Sequence, residues 1–121
     1  MTAAGGMSAV KLITAVIRPE MFEDVTHAII DAGARGMTVA EVRGFGQQYG
    51  QVPEAYPAHH SPLLLRKLRI DVVVENQQAG LMMDAIAKSV RTGAIGDGKI
   101  WACPVTGALR VRTVDRDHSA V

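Results

Sequence analysis

Apolar residues along this chain change their spacing in a fixed order, and the order occurs twice. From Val10 to Ile17 the run VKLITAVI is β-branched and apolar and stops at Arg18-Pro19, which reads as a buried strand. Over Glu20 to Ala32 the spacing turns helical. Phe22, Val25, Ala28 or Ile29, and Ala32 recur every three or four residues, with Glu23, Asp24 and Asp31 opposite, until Gly33 stops the helix. Met37 to Val42 alternates like a half-buried strand. The second round begins at Leu63 to Glu75, a strand with Leu68, Ile70, Val72 and Val74 on one face. Gln77 to Arg91 follows as a helix with Leu81, Met82, Ala85, Ile86 and Val90 as its inner stripe, then Ile100 to Val105 as a strand. Ala108 to Thr113 alternates as a last short strand.

A strand–helix–strand unit used twice predicts a ferredoxin-like α+β fold: an antiparallel four-stranded sheet with two helices on one face. The other face has no helix to cover it. The cheapest covering layer is another copy of the chain, so a closed homo-oligomer is expected. With 121 residues the chain makes one domain, placed at 10–113, with a flexible, glycine-containing leader at 1–9 and a polar tail at 114–121. Aromatic residues are 4% of the chain, so the core must be built from Val, Ile, Leu, Ala and Met.

Net charge near +1 argues against a nucleic-acid partner, which would call for a strongly basic face. No apolar run approaches the roughly 18 residues needed to cross a bilayer, and the N-terminus carries no basic-then-apolar targeting pattern. A cytoplasmic location is expected. The single cysteine, Cys103, suits a reducing compartment and is expected as a buried strand thiol.

Two stretches break the periodic pattern. The first, Gln47 to Pro62, holds three prolines, two histidines and both tyrosines, and a loop this long in a small domain is usually functional or disordered. The second is Thr92-Gly93-Ala94-Ile95-Gly96-Asp97-Gly98-Lys99. Its glycines let the backbone turn tightly and expose N–H groups, and Lys99 adds a fixed charge, which is phosphate-binding chemistry. It is not the Walker pattern, because Lys99 is followed by Ile100 and not by Ser or Thr. Read alone, the signal is weak, and a plain helix-to-strand turn is the first reading of it.

Several separated pieces then agree in order and spacing with one family. Lys11 to Pro19 (KLITAVIRP), Gly36 to Gly46 (GMTVAEVRGFG), Thr92 to Ile100 (TGAIGDGKI) and Arg110 to Thr113 (RVRT) closely resemble the PII signal-transduction proteins of nitrogen regulation. The resemblance implies a homotrimer that binds ATP or ADP in the clefts between neighbours. It also implies a long T-loop, here about 46–63, that docks onto a target transporter or metabolic enzyme. Nucleotide contacts carried over from the family fall on Thr38, Gly44, Phe45, Gly46, Gln47, Val73, Gly96, Asp97, Gly98, Lys99, Arg110 and Arg112. Strand alternation would place Arg110 and Arg112 on one face, within reach of one polyphosphate. Gln48 and Lys67 match the residues that hold Mg2+ with ATP and pair with 2-oxoglutarate in family members that sense it.

The departures matter as much. His60 stands where many members carry a modified tyrosine and Ala58 where some carry a phosphorylated serine, so modification at those places is not expected. Ala94 replaces a usual lysine, which removes a cation and leaves two outcomes open: a preference for ADP or AMP, or weaker ATP binding. Adjacent His59 and His60 point to opposite sides of an extended chain and make a poor chelate, so no metal site is expected from the protein alone. The leading reading is a regulatory binding protein without catalytic residues. Its alternatives are a PII-like sensor of bicarbonate with ADP or AMP, and a slow nucleotide hydrolase.

Overall fold

The computed structural model describes residues 9–45 and 64–121. Residues 46–63, where the T-loop is expected, and residues 1–8 lie outside that range, and with them Gly46, Gln47, Gln48, Ala58, His59 and His60. The chain forms β1 (Val10–Ile17), α1 (Phe22–Asp31), β2 (Thr38–Gly44), β3 (Leu65–Glu75), α2 (Ala79–Val90) and β4 (Lys99–Val105). Single 3-10 turns lead into both helices, at Pro19–Met21 and Asn76–Gln78, and a third spans Asp117–Ala120. The sheet order is β2-β3-β1-β4 with every neighbouring pair antiparallel, which is the ferredoxin-like arrangement.

Register decides which side chains enter the core. Ile13 faces Val72 on one side and Ala102 on the other, and Ala15 faces Ile70 and Ile100. Ile13, Ala15, Ile17, Leu68, Ile70, Val72 and Val74 meet Val25 and Ile29 of α1 and Ala79, Met82, Ile86 and Val90 of α2 in one buried cluster, with Ile100 packed against it and Ala102, on the edge strand, left exposed. Helix α1 begins with Glu23 and Asp24 in its first turn, where the helix dipole favours negative charge. It ends at Gly33, whose φ of 100° is the left-handed conformation of a Schellman stop. The Gly33 N–H donates to the Ile30 carbonyl and the Ala34 N–H to the Ile29 carbonyl, satisfying two terminal acceptors.

The opposite face carries Leu12, Thr14 and Val16 of β1 with Val73 and Trp101 of their neighbours, and no helix among the described residues covers it. Val73 is 41% and Trp101 40% exposed, as an uncovered sheet face requires. Cys103 pairs with Leu12 on this same face, so the thiol is exposed and not buried as the sequence suggested. Strand β4 is at the edge of the sheet and is exposed on both faces from Trp101 to Pro104, so neither side of it buries the thiol.

Three further expectations are corrected. Helix α2 starts after a 3-10 turn, which shifts its phase, and Leu81 is 70% exposed while its neighbour Met82 is buried. Phe22, expected inside, sits at the first residue of α1 and is 39% exposed. The segment 108–113 is no strand. It enters an isolated bridge between Leu109 and Arg116, and residues 111–113 turn the chain back, closed by the Val114 N–H on the Arg110 carbonyl and the Arg110 N–H on that of Asp115. Val114 takes a positive φ, and the Thr113 hydroxyl donates to Asp115, so local turn chemistry overrides the alternation.

Truncating Ile86 to Ala should therefore cost about 2–5 kcal/mol of unfolding free energy, whereas Leu81→Ala should stay within about 0.5 kcal/mol. Urea denaturation of both variants checks the phase of α2.

Candidate functional site

The glycine run joins α2 to β4, and its shape follows from one carboxylate. Asp97 accepts the Thr92 and Gly93 N–H groups at 2.8 Å each and the Thr92 hydroxyl, and it pairs with Arg18 at 3.3 Å. The Thr92 hydroxyl donor, then the Thr92 amide, lead in holding the Asp97 carboxyl below the usual carboxylate range, against a smaller opposing effect of desolvation. The Ala94 N–H turns inward to the Thr92 Oγ1 at 3.2 Å. Amides 92–94 are thus consumed inside the turn. Those of Ile95, Gly96, Asp97 and Gly98 make no hydrogen bond among the described residues, and Gly96 and Gly98 both take positive φ. Consecutive amides in such a turn form an anion-binding nest.

Gly98 has a second constraint. A Cβ there would lie 2.0 Å from the Val16 carbonyl oxygen and 3.2 Å from the Ile17 Cα, so the turn packs directly on the β1 backbone. Only glycine satisfies both this approach and a φ of 108°.

The nest opens into a concavity of about 420 Å³ lined by Val16, Gly44, Phe45, Lys67, Trp101 and residues 94–99. The structure therefore brings together the predicted residues Gly44, Phe45, Lys67, Gly96, Asp97, Gly98 and Lys99. The Lys67 Nζ lies 3.4 Å from the Gly96 carbonyl, and burial, then the Arg18 charge, lower its pKa while Glu20 opposes. Thr38, Val73 and Arg110 are elsewhere. They line a separate concavity of about 420 Å³ with Arg35, Gly36, Met37, Asp71, Ala120 and Val121. Arg110 is braced by Asp115 at 3.7 Å and by the Val121 carbonyl at 3.5 Å. Arg112 is exposed on the turn at 111–113 and lines neither concavity, so the expected strand that would put both arginines on one face is absent.

Sequence reasoning gave no role to Arg18 or to the polar group on the open face. There the buried Thr14 hydroxyl donates to Asp71 at 2.7 Å, and Asp71 pairs with Arg69 at 3.3 Å. The signal for Arg18 was register: Val16 pairs with Lys99, so two residues further on, Arg18 falls opposite Asp97 with the opposite charge.

Comparison with known proteins gives the same outline as the glycine run and the sheet. The family model "Nitrogen regulatory protein P-II" matches residues 10–115. The chain belongs to the P-II family of nitrogen regulatory proteins. It is 41% identical over 111 residues to the P-II protein of Synechocystis, covering 92% of this chain and 99% of that one. The nitrogen regulatory protein GlnK of Escherichia coli K12 is 39% identical over the same shares. Among solved structures, Arabidopsis thaliana PII bound to citrate superimposes with a TM-score of 0.76 at 33% identity, covering 94% of each chain. As a P-II protein the chain has a signalling role in nitrogen regulation. No helix among its described residues is long and apolar enough to cross a membrane.

Gly98→Ala should lower stability by about 2 kcal/mol or more, and Gly93→Ala, whose φ is 87° in open space, by about 1 kcal/mol. Thermal unfolding of the two variants tests the packing of the turn on β1. Because the Asp97 pKa is depressed in the fold, its contacts stabilise fully above the ordinary carboxylate range and fade as pH falls through it. The melting temperature of Asp97→Asn, measured against pH, should drop less on acidification than that of the parent.

Proposed function

We propose that this P-II protein binds an adenine nucleotide between neighbouring copies of a homotrimer and passes the result to a target through its 46–63 loop. The observation that carries the reading is the division of the expected nucleotide residues between two concavities of one chain. The first offers a nest of amides with Lys67 and Lys99, suited to phosphates. The second offers Thr38, Val73 and Arg110, suited to a base and to one more phosphate charge. Two half-sites on one chain become one site when the first wall of one copy meets the second wall of the next. The uncovered sheet face, with Leu12, Val73 and Trp101, supports such an assembly.

Magnesium would arrive with the phosphates. Among the described residues no group of three His, Cys, Asp or Glu side chains is placed to hold a cation, and the Asp97 carboxylate is occupied by its own turn. Phosphate oxygens and Gln48 would complete the coordination of such an ion. The same occupation of Asp97 supports a binding protein over a hydrolase, since no other carboxylate lines the nest concavity among the described residues.

The effector class we assign is a small carboxylate, with 2-oxoglutarate first and bicarbonate second. Lys67 projects into the nest concavity, where its ammonium can exchange the Gly96 carbonyl for a carboxylate. The citrate on the Arabidopsis relative belongs to that chemical class. Coupling then requires that nucleotide and carboxylate favour the same loop conformation.

Calorimetric titration with ATP, ADP and AMP, each with magnesium and with or without 2-oxoglutarate or bicarbonate, tests the reading. Arg110→Ala should weaken ATP binding about tenfold to a hundredfold. Ala94→Lys should raise affinity for ATP more than for AMP, because it returns a cation to the wall of the nest. Absence of heat with every nucleotide would discard the proposal.

A further inference from the structure

Arg18 is not among the nucleotide contacts assigned above, yet its guanidinium reaches three parts of the glycine turn. Nη2 donates to the Ile95 carbonyl at 2.7 Å, and Nη1 lies 3.4 Å from the Thr92 Oγ1 and 3.3 Å from the Asp97 Oδ1. A peptide unit is planar and trans, so its carbonyl and its N–H point in opposite directions. Drawing the Ile95 carbonyl toward Arg18 therefore turns the Gly96 N–H away from it. Arg18 follows directly on β1, so the Gly96 amide is directed away from an anchor fixed by that strand. The planar fork of arginine holds a carbonyl and a carboxylate at once, which a single ammonium does less rigidly.

The Arg18 charge is already paired. Its side chain is 21% exposed, and its partner is the carboxylate that would otherwise repel a phosphate. We propose that Arg18 is a positioning residue for phosphate binding: it fixes the 92–97 turn so that the amides of the nest converge, without donating to the ligand itself. This rests on the nucleotide reading.

The test uses the full-length protein and the variants Arg18→Gln and Arg18→Lys. Affinity for Mg-ATP and for AMP is measured calorimetrically, and amide hydrogen exchange over 93–98 is measured without ligand. Arg18→Gln is expected to weaken ATP about tenfold or more, with AMP changed by no more than about threefold, and to speed exchange across the turn. Arg18→Lys, which restores the charge without the fork, should recover part of both. Equal losses for ATP and AMP would make the residue merely structural and overturn the assignment, as would ATP affinity within about threefold of the parent. A loss of ATP affinity with unchanged exchange would make Arg18 a direct ligand and overturn it as well. If Arg18→Gln does not fold, the same ratio and exchange rates in Arg18→Lys decide, with values between parent and loss expected and parental values contrary. Failure of the parent to bind either nucleotide removes the nucleotide reading, and the assignment with it; binding by the parent with an insensitive variant removes the assignment alone.

Discussion

The approach of Gly98 to the Val16 carbonyl is the contact on which the site depends. Strand β1 lies between β3 and β4 and carries Ile13, Ala15 and Ile17 into the core, so its backbone is among the most constrained in the molecule. Seating the turn against that backbone transfers the rigidity of the core to a segment that would otherwise be a surface connection. Arg18 extends the same strand and reaches the turn one residue earlier, at Asp97. One strand thus supplies both the floor under the nest and the cation that braces it.

The electrostatics follow from the same arrangement. A carboxylate among outward amides would repel any anion unless its charge were satisfied, and Asp97 satisfies it internally with Thr92, Gly93 and Arg18. Two amides are spent in doing so, and the remaining ones acquire a fixed direction. The division of labour is clear: residues 92–94 and 97 build the turn through their side chains and inward amides, and residues 95–98 are left with outward amides. Ala94 adds a methyl group to the wall and no charge. In the nucleotide reading proposed above, discrimination by phosphate number would therefore fall to the backbone, to Lys67 and Lys99, and to whatever the second wall contributes.

The fold was legible because register and period agree. Alternation of Leu68, Ile70, Val72 and Val74 identified β3 and its inner face, and Gly33 marked the end of α1. Errors arose where a local device overrides the period. Leu81 and Met82 are adjacent and lie 100° apart on a helix, so both cannot face inward, and the 3-10 turn before α2 sets the phase that buries Met82. Leu109 and Val111 alternate with arginines as a strand would. Yet Val111 is 88% exposed at the head of a turn closed by Thr113, Val114 and Asp115, and the two arginines part company there. The glycine run was legible as a tight turn with exposed amides. Which of its amides remain available was not, because that depends on where the Asp97 carboxylate points. Cys103 was misplaced because β4 is an edge strand, exposed on both faces from Trp101 to Pro104, and its place in the sheet is set by pairing that no local pattern shows.

The open sheet face is graded along its length, and the gradient bears on how copies would meet. At one end β3 and β4 present Lys67 and Lys99, next to the turn. In the middle Thr14, Asp71 and Arg69 form a hydrogen-bonded polar group, with the Thr14 hydroxyl fully buried. Beyond it Leu12 lies between Val73 and Cys103, and Val10 pairs with Val105. Apolar surface drives association without fixing orientation, whereas a desolvated carboxylate with its own partners penalises any docking that breaks them. In the proposed trimer the apolar end would then carry the contact and the Asp71 group would set its register. The lysine end would remain open to solvent and ligand, which places the cations where a polyphosphate can reach them without competing with the assembly itself.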